Sequence, residues 1–364
     1  MMQTHNIPGG LYIHVPFCLQ KCPYCDFYSV PVSDTMTDAY TEAVCRSLRA
    51  LREPNRTVDT VYFGGGTPSL LSNRQIHEIL DTAATCFSLA ADAEITSEVN
   101  PATVSLKQLK QLRTFGINRL SVGIQSLQDE QLKTLGRLHT ANEAMKTIEM
   151  AAEVGFENLS GDLMLALPNQ TAASLEQTIS EMITLPLTHI SAYLLKIESH
   201  TPYAAQHMER QCPDDDQAAE FYLQTVDALE KAGFFQYEIS NFAKPKWESR
   251  HNLKYWKCID YLGIGPSAHS CWNDKRFFMP PSVSDFLAQD VPYIQWEDEN
   301  PCTPEERLML GMRLCEGVPF TWLEGKASLL QRYEKAGFLR RSDERIAFTS
   351  KGFLVSNRIL SELI

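Results

Sequence analysis

Between Gly10 and Asn241, short runs rich in β-branched and aromatic residues alternate with longer amphipathic runs. This alternation narrows the folds open to the chain more than any other feature. The short runs predict strands over 11–15, 58–63, 94–99, 119–123, 159–165, 189–195 and 236–240. The long runs predict helices over 37–52, 73–86, 105–115, 141–154, 174–185 and 214–232. A strand, a crossover helix and a second strand give a parallel pair, so the order implies a parallel sheet with helices outside it. Six or seven such units fall short of the eight that close a TIM barrel, and a partial (β/α)6 TIM-like barrel is expected. Its ligands belong at the carboxyl ends of the strands, where the loops gather. From Phe242 to Asn300 the periodicity fades while Pro, Trp and other aromatics increase, and 242–300 reads as an irregular segment against the barrel mouth. Helical periodicity resumes at Thr303, and a hairpin through Ser342 and Asp343 precedes a last helix. That order predicts a small winged-helix-like α+β domain over 301–364, after a barrel over 1–241.

A chain of 364 residues suits one barrel-sized domain plus a smaller one, and 44% hydrophobic residues can fill both cores. The net charge of −12 works against a nucleic-acid partner, because phosphate neutralisation needs a basic field. Lys335, Arg340, Arg341 and Arg345 therefore read as a solvated face of the tail rather than a nucleic-acid wing. No run reaches the length of a membrane span, which leaves only peripheral membrane contact open. The stretch from Met1 to Pro8 has neither the basic flank nor the apolar core of a targeting signal. Of the ten cysteines, Cys45, Cys86, Cys212, Cys258, Cys271, Cys302 and Cys315 follow no framework spacing, as expected of reduced thiols in the cytoplasm.

The other three stand close together in Tyr12-Ile13-His14-Val15-Pro16-Phe17-Cys18-Leu19-Gln20-Lys21-Cys22-Pro23-Tyr24-Cys25, directly after the first predicted strand. Three thiolates can each hold one iron of a [4Fe–4S] cube and leave the fourth iron open to another ligand. A zinc site would want a fourth Cys or His at close spacing. Gly64-Gly65-Gly66-Thr67-Pro68 follows the second strand, and its glycines let the backbone approach a ligand closely. A glycine run alone is more often a plain turn. Glu98, Gln125, Arg137 and Asp162 recur at later strand ends. Carboxylates and an amide can hold hydroxyls and an amine, and an arginine fork matches a carboxylate.

Together, the cysteine block, Gly64-Gly65-Gly66-Thr67-Pro68-Ser69, Glu98-Val99-Asn100-Pro101, Gly123-Ile124-Gln125-Ser126 and Leu135-Gly136-Arg137-Leu138-His139 resemble the oxygen-independent coproporphyrinogen III oxidase family of radical S-adenosylmethionine (SAM) proteins. The resemblance covers essentially the whole chain. It implies that Cys18, Cys22 and Cys25 hold a [4Fe–4S] cluster. It also implies that Tyr12, Tyr24, Gly65, Gly66, Thr67, Glu98, Gln125, Arg137 and Asp162 bind SAM. Within the family the chain is more similar to the haem-chaperone branch. The oxidases resemble C-x3-C-x2-C-x-C, whereas Phe27 stands at the fourth cysteine's place here, and the segment before Cys18 is short. His251-Asn252-Leu253-Lys254-Tyr255-Trp256 matches the branch's HNxxYW motif. Two departures occur: Ala166-Leu167-Pro168-Asn169-Gln170 replaces Gly-Leu-Pro-Gly-Gln, which suggests a slightly different loop, and Ser199-His200 replaces Pro-Gly.

Two functions compete on this resemblance. One is a haem chaperone that binds haem, the cluster and SAM and delivers haem to acceptor proteins, with an electron donor for the cluster. The other is an oxidase that decarboxylates the propionates of coproporphyrinogen III through a 5′-deoxyadenosyl radical. Phe27, the short leading segment and the HNxxYW motif favour the first. His251 is the expected haem ligand, since imidazole suits haem iron, while a histidine packed on Trp256 is the structural alternative. His269 is next in line, and His14 is expected to shape the cysteine loop.

Overall fold

The computed structural model describes residues 7–342 and 344–364. Met1 to Asn6, the greater part of the stretch read for a targeting signal, and Asp343 of the expected hairpin lie outside the described residues. Six long strands run parallel in one sheet: β1 (Gly9–Val15), β2 (Glu53–Gly65), β3 (Phe87–Val99), β4 (Arg119–Gln125), β5 (Asn158–Leu165) and β6 (His189–Leu194). They lie side by side in chain order, the singly wound order of a barrel rather than of a doubly wound sheet. β1 is buried at every position except Tyr12, the mark of a strand covered on both faces.

The crossover helices are α1 (Asp34–Ala50), α2 (Asn73–Cys86), α3 (Leu106–Thr114), α4 (Ala141–Glu153) and α5 (Ala172–Met182). α6 (Asp215–Lys231) follows β6. Their starts are written locally. Ser72 with Gln75, Ser105 with Gln108, Thr140 with Glu143, Thr171 with Ser174 and Asp214 with Gln217 each form a reciprocal capping box. Each box satisfies two backbone N–H groups that have no partner within the helix. The buried faces of these helices, Leu48, Ile79, Leu112, Ile148 and Ile179 among them, join the strand side chains in one continuous core.

The segment 242–300 is not irregular. Tyr261–Ile264 adds a further parallel strand on the outer edge of β1, with Tyr12 opposite Gly263. His269–Trp272, Lys275–Phe278 and Gln295–Asp298 continue the sheet in antiparallel order. At the other end, Asn241–Ala243 pairs antiparallel with β6 and with Phe235–Gln236. The strand expected over 236–240 is therefore two shorter pieces. Strands of two to four residues carry too few alternations to be read as a period, and Gly263 and Gly265 interrupt the pattern further. The tail holds Pro304–Gly311, Ala327–Lys335 and two closing helices around a three-stranded sheet of Val318–Pro319, Arg345–Phe348 and Leu339–Arg341. A small α+β unit thus follows the partial barrel, and it shares the main core through Leu308, Met312 and Ile359.

Candidate functional site

Residues of the parallel strands and the loops that follow them line a cavity of about 540 Å³, within the size that suits a small molecule. Cys18, Cys22 and Cys25 line it from the loop after β1. That loop is tied at its base. Phe17–Cys18 pairs with Val30–Pro31, and the Val32 N–H donates to the Cys18 carbonyl at 3.2 Å. His14 is a strut beneath it: Nδ1 accepts from the Tyr12 hydroxyl at 3.0 Å, and Nε2 meets the Tyr28 carbonyl at 3.2 Å. Burial pushes its pKa down to about 4, so the ring is neutral near pH 7. This supports the loop-shaping expectation for His14.

The glycine run sits against the same loop. A Cβ on Gly66 would lie 2.6 Å from the Phe17 carbonyl, and one on Gly65 would lie 2.6 Å from the His14 ring. Gly65 also has φ of +109°, which a side chain would disfavour. Donors then meet two of the sulfurs. The Thr67 hydroxyl lies 3.7 Å from Cys18 Sγ, and Arg137 Nη1 lies 3.7 Å from Cys22 Sγ. Hydrogen bonds to sulfur tune a cluster bound to it.

Glu98, Gln125, Arg137 and Asp162 line the same cavity. Glu98 accepts from the Tyr62 hydroxyl at 2.9 Å and the Gly65 N–H at 3.2 Å. Burial, then the charge of Asp162, pushes its pKa up to about 7. Asp162 accepts from Ser121 Oγ at 3.1 Å, and burial raises it to about 6. Gln125 has φ of +67° at an irregularity in the β4–β5 pairing, and its Oε1 accepts from the Tyr193 hydroxyl at 2.9 Å. Such strain in a non-glycine residue is characteristic of functional sites. Arg137 anchors to the Gly123 carbonyl at 3.0 Å, where a Cβ on Gly123 would strike both Gln125 and Arg137.

Of the residues expected to bind SAM, Tyr24, Gly65, Gly66, Thr67, Glu98, Gln125, Arg137 and Asp162 line the cavity together with the three cysteines. Tyr12 is not among the lining residues. Its hydroxyl is engaged with His14, and its ring lies against Tyr62 and His251. His251 also departs from expectation. It is buried, with Nδ1 at 2.8 Å from Thr60 Oγ1 and Nε2 at 2.9 Å from the Tyr255 hydroxyl. Its ring stacks on Tyr62 rather than Trp256, and burial lowers its pKa to about 3. An imidazole with both nitrogens occupied is not open to iron in this conformation. His269 is half-exposed and stacked on Phe278, with Glu297 3.4 Å from Nδ1.

The sequence reading missed Arg119, Ser121, Tyr62 and Tyr193, which also line the cavity. Arg119 and Ser121 are the legible pair: polar residues two apart on a strand share one face. Asn100, Arg119 and Arg137 each keep a buried polar atom (Oδ1, Nε and Nε) without a hydrogen-bond partner. Buried polar atoms left unpaired at a cavity wall fit a polar ligand, as SAM is. Three thiols lining one cavity, two of them with a donor at sulfur, have the chemistry of iron–sulfur ligands, and among the described residues no three ligating side chains are yet drawn together around a metal position.

A parallel partial barrel with three cysteines on its first loop defines a radical SAM protein. The Radical SAM superfamily profile matches residues 12–182, and the HemN C-terminal domain profile matches residues 303–355. The crystal structure of coproporphyrinogen III oxidase (HemN) from Escherichia coli superposes with a TM-score of 0.82 at 23% identity, over 97% of this chain and 89% of that one. That likeness concerns the fold. The heme chaperone HemW of Synechocystis is 34% identical over 99% of this chain and 97% of its own length. The HemW of Bacillus subtilis is 33% identical over 97% and 98%. That of Escherichia coli is 40% identical over 72% and 70%. The chain belongs to the HemW haem-chaperone family.

Proposed function

We propose that the chain binds a [4Fe–4S] cluster through Cys18, Cys22 and Cys25, binds SAM across the cavity, and takes up haem for delivery to haem-acceptor proteins. Near-full-length similarity to several HemW chaperones carries this reading. Together, the cluster and SAM supply one-electron chemistry at the sulfonium, with an external electron donor. The residues of this chain orient and enclose them. Gly65, Gly66 and Thr67 offer backbone and hydroxyl contacts. Glu98 and Asp162 accept from amine or hydroxyl groups, Gln125 offers its amide, and Arg137 matches a carboxylate. The working division is 1–241 for the barrel, 242–300 for the strands that extend its sheet and 301–364 for the tail. Among the described residues no helix is long and apolar enough to cross a membrane, and we place the protein in the cytoplasm.

His251 remains the proposed haem ligand; it would hold haem iron through Nε2 only if that nitrogen gave up the Tyr255 hydroxyl and the buried ring became accessible. Tyr255→Phe removes that competitor and should tighten haem binding several-fold. His251→Ala should weaken haem binding and alter its absorbance spectrum while cluster and SAM binding persist, since separated sites act independently. An unchanged haem spectrum in a folded His251→Ala variant would move the ligand elsewhere, with His269→Ala the next variant to titrate. Oxidase activity is the second reading, and the fold shared with HemN keeps it in view. Phe27, 66% exposed where the oxidases carry a fourth cysteine, disfavours it.

A further inference from the structure

A second group of thiols lies away from the cavity. Cys258 follows the helix Arg250–Trp256 that carries His251, Cys271 lies on His269–Trp272, and Cys302 precedes Pro304–Gly311. The sequence shows them as scattered, yet the fold brings them together. Cys271 Sγ and Cys302 Sγ are 3.7 Å apart, and Cys258 lies beside Cys302 as well. Cys258 and Cys271 are buried, whereas Cys302 is half-buried. Cys258 and Cys302 are held at φ of +50° and +63°, costly for residues with a side chain. Glu306 and Arg307 fix the Cys302 backbone, accepting its N–H at 2.6 Å and donating to its carbonyl at 2.9 Å. A cavity of about 150 Å³ opens on the Cys258 side of the group, lined by Cys258, by Lys257, Arg307 and Arg345 and by the Glu316 carboxylate that pairs with Lys257, but not by Cys271 or Cys302.

We propose that Cys258, Cys271 and Cys302 form a thiol–disulfide exchange site for an anionic small-molecule disulfide of the glutathione class. Cys302, the most accessible of the three, attacks one sulfur of that disulfide as thiolate. A mixed disulfide forms and the first small thiolate leaves. Cys271 then attacks Cys302 Sγ, giving up its proton, and the second small thiol departs with it. Two protein thiols are oxidised to the Cys271–Cys302 bond while one small disulfide is reduced to two thiols. Exchange with Cys258 would break the Cys271–Cys302 bond, form Cys258–Cys302 in its place and return the Cys271 thiol. Donation from the Cys258 and Cys271 thiols, with Arg307 and Arg276 near, lowers the Cys302 pKa and favours the attacking form. A disulfide of this kind in a reducing compartment is transient and redox-sensing. Once formed, it would tie the start of the tail to the sheet extension.

The test titrates cluster-loaded protein with glutathione disulfide under anaerobic conditions. The expected result is loss of two free thiols per chain, a Cys271–Cys302 cross-link in the non-reduced peptide map and unchanged cluster absorbance. Cys302→Ser should abolish the cross-link, and Cys258→Ser should retain it. No thiol loss, a cross-link through Cys18, Cys22 or Cys25, or wild-type reactivity in Cys302→Ser would overturn the proposal. Should Cys302→Ser fail to fold, alkylation of the wild-type chain decides. Faster labelling of Cys302 than of Cys258 and Cys271 supports the site, and equal labelling overturns it.

Discussion

Gly65 and Gly155 separate two costs that one substitution usually merges. Both have positive φ, +109° and +94°, but a Cβ on Gly155 meets nothing within 4 Å while one on Gly65 strikes the His14 ring at 2.6 Å. Gly155→Ala should cost about 1–2 kcal/mol, the backbone penalty alone. Gly65→Ala should cost about 1–3 kcal/mol more, from overpacking against His14, and should also lose SAM binding. Denaturant unfolding of the two cluster-free variants measures the difference, and equal losses would remove the steric argument. Glu98 gives a prediction in pH. Its folded pKa of about 7 exceeds the ordinary carboxylate range, so the folded state binds the proton more tightly than the unfolded one. The stability this contributes is complete below the unfolded pKa of about 4.3 and is lost as pH rises through about 7. Wild type should therefore lose on the order of 1–2 kcal/mol relative to Glu98→Gln across that window, a figure reduced because the group borders an open cavity. A flat difference between the two unfolding curves from pH 4.5 to 7.5 would contradict the burial argument.

At the scale of the element, the loop from Cys18 to Cys25 works as a unit because the ladder at Phe17–Cys18 and the His14 strut hold its base. Changing any one of Cys18, Cys22 and Cys25 to Ala should abolish the cluster absorbance after anaerobic reconstitution. The same change at Cys45 or Cys86, both in helices, should not. A full iron complement in any of the three variants would refute the assignment. These elements were the legible ones. The six long strands and their crossover helices carry strong periods, and α2 occupies the same residues over which it was expected, its start held by the Ser72–Gln75 capping box. The polar residues at strand ends were legible because a parallel barrel gathers them at one mouth. The four-residue strands after Phe242 were not, because the first of them pairs with the edge of β1 and the others build outward from it, which no local pattern announces. His251 was legible as a motif but not as a packed residue. Its partners Thr60 and Tyr62 come from β2, far away in sequence. Ala166 and Asn169 carry a similar lesson. Both sit at φ of +58°, so they hold left-handed positions of the kind that glycine adopts most readily.

For the whole molecule, the cluster loop, the cavity and the helix bearing His251 meet within one sheet, and the tail closes on that sheet through its core. The tail is also joined by backbone: the Ile239 N–H donates to the Arg313 carbonyl and the Cys315 N–H to the Tyr237 carbonyl, at 3.0 and 2.9 Å. On the function proposed above, chaperoning differs from oxidation in what leaves the protein. The deciding measurement supplies reconstituted, reduced protein with SAM and haem, then adds a haem-free acceptor protein, with a parallel sample given coproporphyrinogen III. The account predicts that the chain binds haem, that the acceptor's haem spectrum grows at the expense of the donor's, and that the porphyrinogen keeps both propionates. Haem that is not bound or never transferred, together with catalytic formation of protoporphyrinogen, would contradict it.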